Sequence, residues 1–180
     1  MIRIAHCCCG SLRAEAAGEP TFVGACHCTE CQRRTGSPFG VSTYFAKEQV
    51  RTEGPSKVYA RGSDSGRTIE IHFCPDCGTS VFWYAEWGPD LIGIAFGAFA
   101  DPSMPGPTVS VWETTRHPWV AFDHQLDRFT VQPKIDDLDP KRPSHAALAS
   151  NWERLVRGGG TMNHAWRVAR PARAGSPTVG

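Results

Sequence analysis

A chain of 180 residues, 41% of them hydrophobic, is long enough for one well-packed domain and too short for two large ones. Its formal net charge of +1 creates no overall field that would attract nucleic acid or an acidic membrane surface. No apolar run approaches the roughly 18 residues that span a bilayer, and the first residues lack the apolar stretch of a signal peptide. We therefore expect a cytoplasmic protein without nucleic-acid or membrane partners, while a homo-oligomer is allowed.

Residues 1–132 are predicted to form a mainly β domain. Short β-branched and aromatic runs alternate there with Gly, Pro and Asp, which is typical of short strands joined by turns. A helical turn is expected at 29–34. The predicted strands cover 4–14, 21–27, 40–45, 57–60, 68–73, 80–84, 91–96, 109–112 and 127–131.

Residues 133–180 are predicted to be a linker, an accessory helix and a disordered tail. The segment after Pro133 is polar and rich in turn residues, and Ser144 has the character of a helix N-cap. The helix should run to Arg157 and carry Leu148, Trp152 and Leu155 on one face. Three glycines then end it.

Eight cysteines indicate metal binding, because the close spacing within their groups would make poor loop-closing disulfides and no oxidising compartment is indicated. The segment from Cys74 to Gly78 has the C-P-x-C-G form of a zinc knuckle, in which a turn aims both sulfurs at one point. Cys74 and Cys77 supply only two of the four thiolates that a closed tetrahedral site needs. Another pair must come from elsewhere in the chain.

One source is the Cys7-Cys8-Cys9 segment, which we interpret as part of a strand. Alternate side chains on a strand share a face, so Cys7 and Cys9 would point together. Cys8 would point the other way, as a small buried hydrophobic residue and not as a ligand.

The other source is Cys26, Cys28 and Cys31, three thiols on one short segment. If Cys7 and Cys9 complete the knuckle site, these three form a site with one open position, as catalytic zinc sites do. The alternative pairs two of them with the knuckle, and spacing alone does not choose. His27 would face away from the flanking sulfurs if the strand alternates regularly.

Four segments together resemble the glutathione-dependent formaldehyde-activating enzyme family, which also includes centromere protein V. They are the C-x-C-G near the start, CHCTECQRRTGSPFG from Cys26, FCPDCGTSVF from Phe73 and VWETTRHPWV from Val111. The sequence departs from the family pattern at Ser110, where a histidine often precedes the hydrophobic-Trp pair.

The resemblance implies a β-tent fold of short antiparallel strands and two zinc ions per chain. It implies a structural zinc held by Cys7, Cys9, Cys74 and Cys77, and a catalytic zinc held by Cys26, Cys28 and Cys31. The implied activity is that of a carbon–sulfur lyase that forms S-(hydroxymethyl)glutathione from formaldehyde and glutathione, the co-substrate. The partners would then be a small-molecule thiol and an aldehyde.

Two arginines that follow the three-cysteine segment are candidates for binding the ligand. The guanidinium groups of Arg33 and Arg34 match a carboxylate bidentately, as a glutathione-like ligand would need. Phe39, Phe82 and Trp83 are candidates for a pocket wall or for the core. The alternative function is a non-catalytic binding module scaffolded by two structural zinc ions, in which a protein side chain would fill the fourth position of the second site.

Overall fold

The computed structural model describes residues 1–63 and 66–134. These residues form eleven strands, the helix α1 (Thr29–Thr35) and short 3-10 turns at Lys47–Gln49, Phe96–Phe99 and Glu113–Thr115. The strands are β1 (Ile2–His6), β2 (Arg13–Ala17), β3 (Phe22–Cys26), β4 (Gly40–Ala46), β5 (Val50–Glu53), β6 (Lys57–Gly62), β7 (Thr68–Phe73), β8 (Ser80–Ala85), β9 (Leu91–Ala95), β10 (Val109–Val111) and β11 (Asp127–Arg128).

The described strands form two sheets. A small antiparallel sheet has the order β1-β2-β5, and a large sheet has the order β11-β10-β3-β4-β9-β8-β7-β6. In the large sheet, β10 runs parallel to both β3 and β11, while the other neighbours are antiparallel. The predicted mainly β architecture of short, largely antiparallel strands is confirmed.

The main hydrophobic core lies between the two sheets. Burial alternates along β1 and β2, so that Ala5, Ala14 and Ala16 turn one face of the small sheet inward. They belong to the same cluster as Phe45 and Ile94, which are fully buried on the large sheet. Burial of a side chain of that size stabilises the fold by about 2 kcal/mol.

The large sheet positions a second apolar surface beside β3. Phe22, Gly24 and Cys26 share one face of this strand because side chains alternate along it. Phe22 joins Val109 and Val111 of the parallel neighbour β10 in a separate buried cluster. The last residue of β3 is therefore a cysteine at the edge of an apolar surface.

The structure corrects the prediction for the N-terminal segment. Residues 4–14 are not one strand but parts of the β1–β2 hairpin, and Cys7 and Cys9 lie in its connecting turn. The strand-face argument for Cys8 was therefore wrong, and its side chain is exposed instead of buried. Strand β5 was not predicted, because its sequence VRTE is largely exposed and shows no apolar alternation.

In the part of the chain that the structure describes, no helix has the length and apolar character needed to cross a membrane. The helix predicted at 144–157 lies outside the described residues, as does most of the segment after residue 132. The domain boundary at residue 132 stays a prediction.

Candidate metal centres and the adjoining pocket

Four cysteine sulfurs meet where two turns face each other. Cys7 and Cys9 lie in the turn after β1, and Cys74 and Cys77 lie in the turn between β7 and β8. All four Sγ atoms lie within 4.8 Å of one another, with Cys7 and Cys9 3.4 Å apart and Cys9 and Cys74 3.5 Å apart. Four thiols at this spacing match a closed tetrahedral zinc site.

Each turn of this four-cysteine centre is closed by the backbone N–H of a glycine, three residues after Cys7 in one turn and four residues after Cys74 in the other. The N–H of Gly10 donates to the carbonyl of Cys7 at 2.9 Å, and the N–H of Gly78 donates to the carbonyl of Cys74 at 3.0 Å. Both glycines have a positive φ, 81° and 74°, which residues with a Cβ adopt only at a cost. The glycine after each cysteine pair is thus needed to close the turn.

Hydrogen bonds favour the thiolate form at Cys7 and Cys77 but not at Cys9. At Cys9, hydrogen bonds from Ser11 lower the pKa, but the contacts with Cys7 and Cys74 raise it overall, to about 11. Burial raises the pKa of Cys7, but the N–H of Leu12, 3.3 Å from Sγ, and neighbouring thiol and hydroxyl groups together lower it to about 7. Hydrogen bonds from the hydroxyl and backbone of Thr79 lower the pKa of Cys77 to about 5. Thiolates are the form that binds metal.

The remaining cluster lies at the junction of β3 and α1. Cys26 is the last residue of β3, Cys28 is the N-cap of α1, and Cys31 lies in its first turn. The Sγ of Cys28 accepts a hydrogen bond from the N–H of Cys31 at 3.4 Å, so the sulfur caps the helix as an oxygen usually does. The three Sγ atoms lie within 4.8 Å of one another.

These three sulfurs do not ionise together on their own. Hydrogen bonds from the thiols of Cys26 and Cys31 lower the pKa of Cys28 to about 2. The same interaction with Cys28 raises the pKa of Cys26, as does its burial. For Cys31, the contact with Cys26 lowers the pKa, but the contact with Cys28 and burial raise it overall. A cation is needed to hold three thiolates in this space.

His27 points away from the cysteines, as strand alternation predicted. Its side chain is fully buried, and Nε2 lies 3.1 Å from the hydroxyl of Ser110, which in turn donates to Glu113. The hydroxyl of Thr115 donates to the carbonyl of His27 at 2.9 Å, and Gln32 donates to the same carbonyl at 2.7 Å. These hydrogen bonds of His27 therefore hold the segment between Cys26 and Cys28 in place.

Ser110 stands where the family pattern often has a histidine, and the structure shows which side of β10 this position faces. Val109 and Val111 line the pocket, whereas Ser110 between them faces His27. A side chain at position 110 thus belongs to the support behind the metal centre and not to the pocket wall. Ser110 is not part of the pocket lining.

The three cysteines border a pocket of about 180 Å³ on the face of the large sheet. Within the described residues, no fourth His, Cys, Asp or Glu ligand atom joins the three sulfurs. The buried part of the pocket wall is apolar except for Ser42, while polar residues lie on the more exposed rim. The polar rim residues include Glu30, Arg34, Arg61, Ser63, Thr115 and Gln132.

The two predicted arginines differ in their placement. Arg34 lines the pocket, with its Cζ 4.6 Å from the ring centre of Trp83. Arg33 is exposed, pairs with Glu30 and is not part of the pocket wall, so its placement does not support the predicted role. Arg61, which the sequence analysis did not single out, lines the pocket as well. In the described part of the chain, neither Arg34 nor Arg61 has a carboxylate partner.

Tyr44 and Trp83 form the aromatic floor of the pocket. The indole N–H of Trp83 donates to the hydroxyl of Tyr44 at 3.5 Å, and Tyr44 stacks on Phe22 with ring centres 4.5 Å apart. Gly93 on β9 pairs with both Tyr44 and Trp83 and leaves room for the indole. A Cβ at Gly93 would lie 2.1 Å from Nε1 of Trp83.

Of the three aromatic residues considered from the sequence, one lines the pocket. Trp83 does, whereas Phe82 belongs to the main core and Phe39 packs against His27 with ring centres 5.5 Å apart. The opposite faces of Phe82 and Trp83 follow from alternation along β8.

Both centres have the chemistry that zinc requires. Thiolates are soft ligands that select zinc among the common divalent ions, and every cysteine of the two groups has a free thiol. The fold and the site define a mainly β protein with two zinc-compatible thiol centres, one closed by four sulfurs and one with three sulfurs beside a pocket.

Comparison with known proteins gives the family. The family model for glutathione-dependent formaldehyde-activating enzymes matches residues 2–115, so the chain belongs to this family. A crystal structure of a Rhodobacter sphaeroides protein, a structural genomics target, is similar at 18% identity and a TM-score of 0.44, covering 57% of this chain and 90% of that chain. No curated protein matches the chain significantly.

Proposed function

We propose that the chain is a zinc-dependent carbon–sulfur lyase-like enzyme acting on a thiol adduct, S-(hydroxymethyl)glutathione formed from glutathione and formaldehyde. The observation that carries this proposal is a three-sulfur centre, without a fourth ligand in the described residues, at the wall of a pocket. Three protein ligands and one position for substrate are typical of catalytic zinc. The choice of glutathione as the thiol and formaldehyde as the aldehyde is supported by the description of the family.

Zinc held by Cys26, Cys28 and Cys31 would supply a Lewis acid that lowers the pKa of a substrate thiol. The protein must then bring the carbonyl carbon next to the sulfur. In the synthetic direction a carbon–sulfur bond forms, the carbon–oxygen π bond opens, and the proton lost by sulfur ends on oxygen. The step needs no oxidant or reductant.

Arg34 and Arg61 are suited to bind the carboxylates of glutathione. Both guanidinium groups lie at the pocket, and neither is neutralised by a carboxylate of the described residues. A charge-assisted hydrogen bond to a carboxylate is stronger than one between neutral groups. Arg34 is further oriented by its stacking on Trp83.

Tyr44 is suited to donate a hydrogen bond to the substrate oxygen. Burial raises the pKa of Tyr44 to about 12, so the hydroxyl keeps its proton at neutral pH. The Tyr44 hydroxyl also has a hydrogen bond with the side chain of Ser42, and Ser42 pairs with Gly24 of β3, two residues before Cys26. Tyr44 and the three cysteines line the same pocket.

We also place the protein in the cytoplasm. Seven of the eight cysteines lie in the two metal centres, and thiols that serve as ligands must stay reduced. A reducing compartment meets that requirement.

Glutathione titration of cobalt-substituted protein tests the proposed function. Thiolate entry into the coordination sphere changes the charge-transfer spectrum of Co²⁺, and we expect this change with wild-type protein. Cys28→Ser should abolish it, whereas Cys8→Ser, which changes a thiol outside both clusters, should retain it. An unchanged spectrum at millimolar glutathione would contradict the proposal and favour the binding module.

A further inference from the structure

The part of the pocket farthest from solvent is built to receive hydrocarbon. Phe22, Val109 and Val111 on one side and Ile71 and Trp83 on another are all nearly buried and all line it. Formaldehyde has no hydrocarbon body that could use such a wall. The carboxylates of glutathione would be engaged at the arginines on the rim, which leaves the buried wall without a partner in that adduct.

Gly24 creates the space between the apolar walls. It lies between Phe22 and Cys26 on β3 and pairs with Ser42 of β4 and Val109 of β10. A Cβ at this position would meet the Phe22 ring at 3.8 Å and Val109 at 3.9 Å, which are ordinary van der Waals contacts. The backbone does not demand glycine here, so the missing side chain enlarges the pocket and is not needed for the turn or strand geometry.

We infer that the space over Gly24, between Phe22 and Val109, is an apolar subsite that binds the hydrocarbon body of an aldehyde larger than formaldehyde. The inference rests on the proposed function and specifies its carbonyl substrate. The reaction is the same addition: the thiol sulfur bonds to the aldehyde carbon, and the thiol proton ends on the former carbonyl oxygen. The hydrocarbon chain of the adduct then lies against the buried wall and the glutathione carboxylates lie at the rim.

Two inert thioethers measure the subsite apart from turnover. S-hexylglutathione and S-methylglutathione share the peptide and differ only in alkyl length, and quenching of tryptophan fluorescence reports their binding at Trp83. We expect the hexyl compound to bind the zinc-loaded protein at least about tenfold more tightly, since each buried methylene contributes roughly a factor of four. The corresponding turnover test compares hexanal with formaldehyde at fixed glutathione.

A graded series at Gly24 locates the alkyl group. Gly24→Ala should reduce the advantage of the hexyl compound and Gly24→Val should remove it, while binding of the methyl compound is kept. Gly97→Ala is the matched control, because a Cβ at Gly97 meets nothing within 4 Å and Gly97 is not part of the pocket wall. If Gly24→Val does not fold, Gly24→Ala still decides, since its methyl group fits at ordinary contact distance.

The outcomes separate this inference from the function on which it rests. The subsite is supported if S-hexylglutathione binds more tightly than S-methylglutathione to the wild type and to Gly97→Ala, and this difference is lost in the Gly24 variants. Equal affinities of the two thioethers, or an advantage that survives both Gly24 variants, would overturn it while leaving the thiol site intact. If glutathione itself fails to alter the cobalt spectrum, the proposed function fails and the inference with it.

Discussion

Replacement of Gly93 by alanine should displace the indole of Trp83 and thereby weaken both the fold and the pocket. The added Cβ would lie 2.1 Å from Nε1, 2.5 Å from Cε2 and 2.8 Å from Cδ1 of the indole. Each of these distances is well below van der Waals contact. Trp83 is only 5% exposed, so the ring has little free volume into which it can move.

The expected cost of Gly93→Ala is about 2 kcal/mol of the free energy of unfolding, within the range measured for overpacked interiors. For a chain of this length that corresponds to a decrease in Tm of roughly 6 °C. Movement of the indole would also break its hydrogen bond to Tyr44 and shift the guanidinium of Arg34 that stacks on it. We therefore also expect weaker glutathione binding by the same variant.

Thermal unfolding of the zinc-loaded protein, followed by tryptophan fluorescence, measures the effect. Gly97→Ala adds the same methyl group where nothing lies within 4 Å and should leave Tm within about 1 °C of the wild type. Zinc content should stay the same in both variants. If Gly93→Ala matched Gly97→Ala in Tm and in emission spectrum, the assignment of Gly93 as the space for the indole would be wrong.

Two further substitutions test the roles proposed for Cys74 and Tyr44. Cys74→Ser should remove one of two zinc ions and abolish cooperative unfolding, because that metal would join turns 65 residues apart in sequence, while Cys8→Ser should keep both ions; equal loss of metal in the two variants would contradict the four-cysteine assignment. Tyr44→Phe should lower kcat by about 100-fold while the cobalt spectrum still responds to glutathione. Tyr59→Phe, at an exposed position of β6, is its control, and wild-type kcat in Tyr44→Phe would exclude the proton-donor role.

The cysteines of the two candidate metal centres could be singled out from the sequence because their signal is local. The knuckle at Cys74 and Cys77 and the triplet from Cys26 to Cys31 are encoded in spacings of a few residues, and alternation along β3 also placed His27 on the opposite side. The same alternation misplaced Cys8, because Gly10 closes a turn there and a turn has no alternating faces. The local rule failed where the local conformation was wrong.

The pocket could not be found in the same way because it is assembled by sheet order. Arg61 on β6 reaches the site only because β6, β7, β8, β9 and β4 are consecutive neighbours across the large sheet, and nothing in its own segment indicates that partner. Arg33 and Arg34 are adjacent in sequence, yet the turn of α1 aims only Arg34 at Trp83. Adjacency to a motif therefore predicted one of the two arginines that line the pocket, Arg34, and missed the other, Arg61.

The two metal centres are placed so that stability and chemistry can be changed separately. The four-cysteine centre joins the β1–β2 turn of the small sheet to the β7–β8 turn of the large sheet, and its buried members Cys7 and Cys74 belong to the main core. The three-cysteine centre uses residues from a single strand end and the helix that follows, so its metal closes no long loop. Its support comes from the buried His27–Ser110 hydrogen bond behind it. Loss of metal at the three-cysteine centre should therefore leave the sheets in place, whereas loss of metal at the four-cysteine centre should release the turn that joins them.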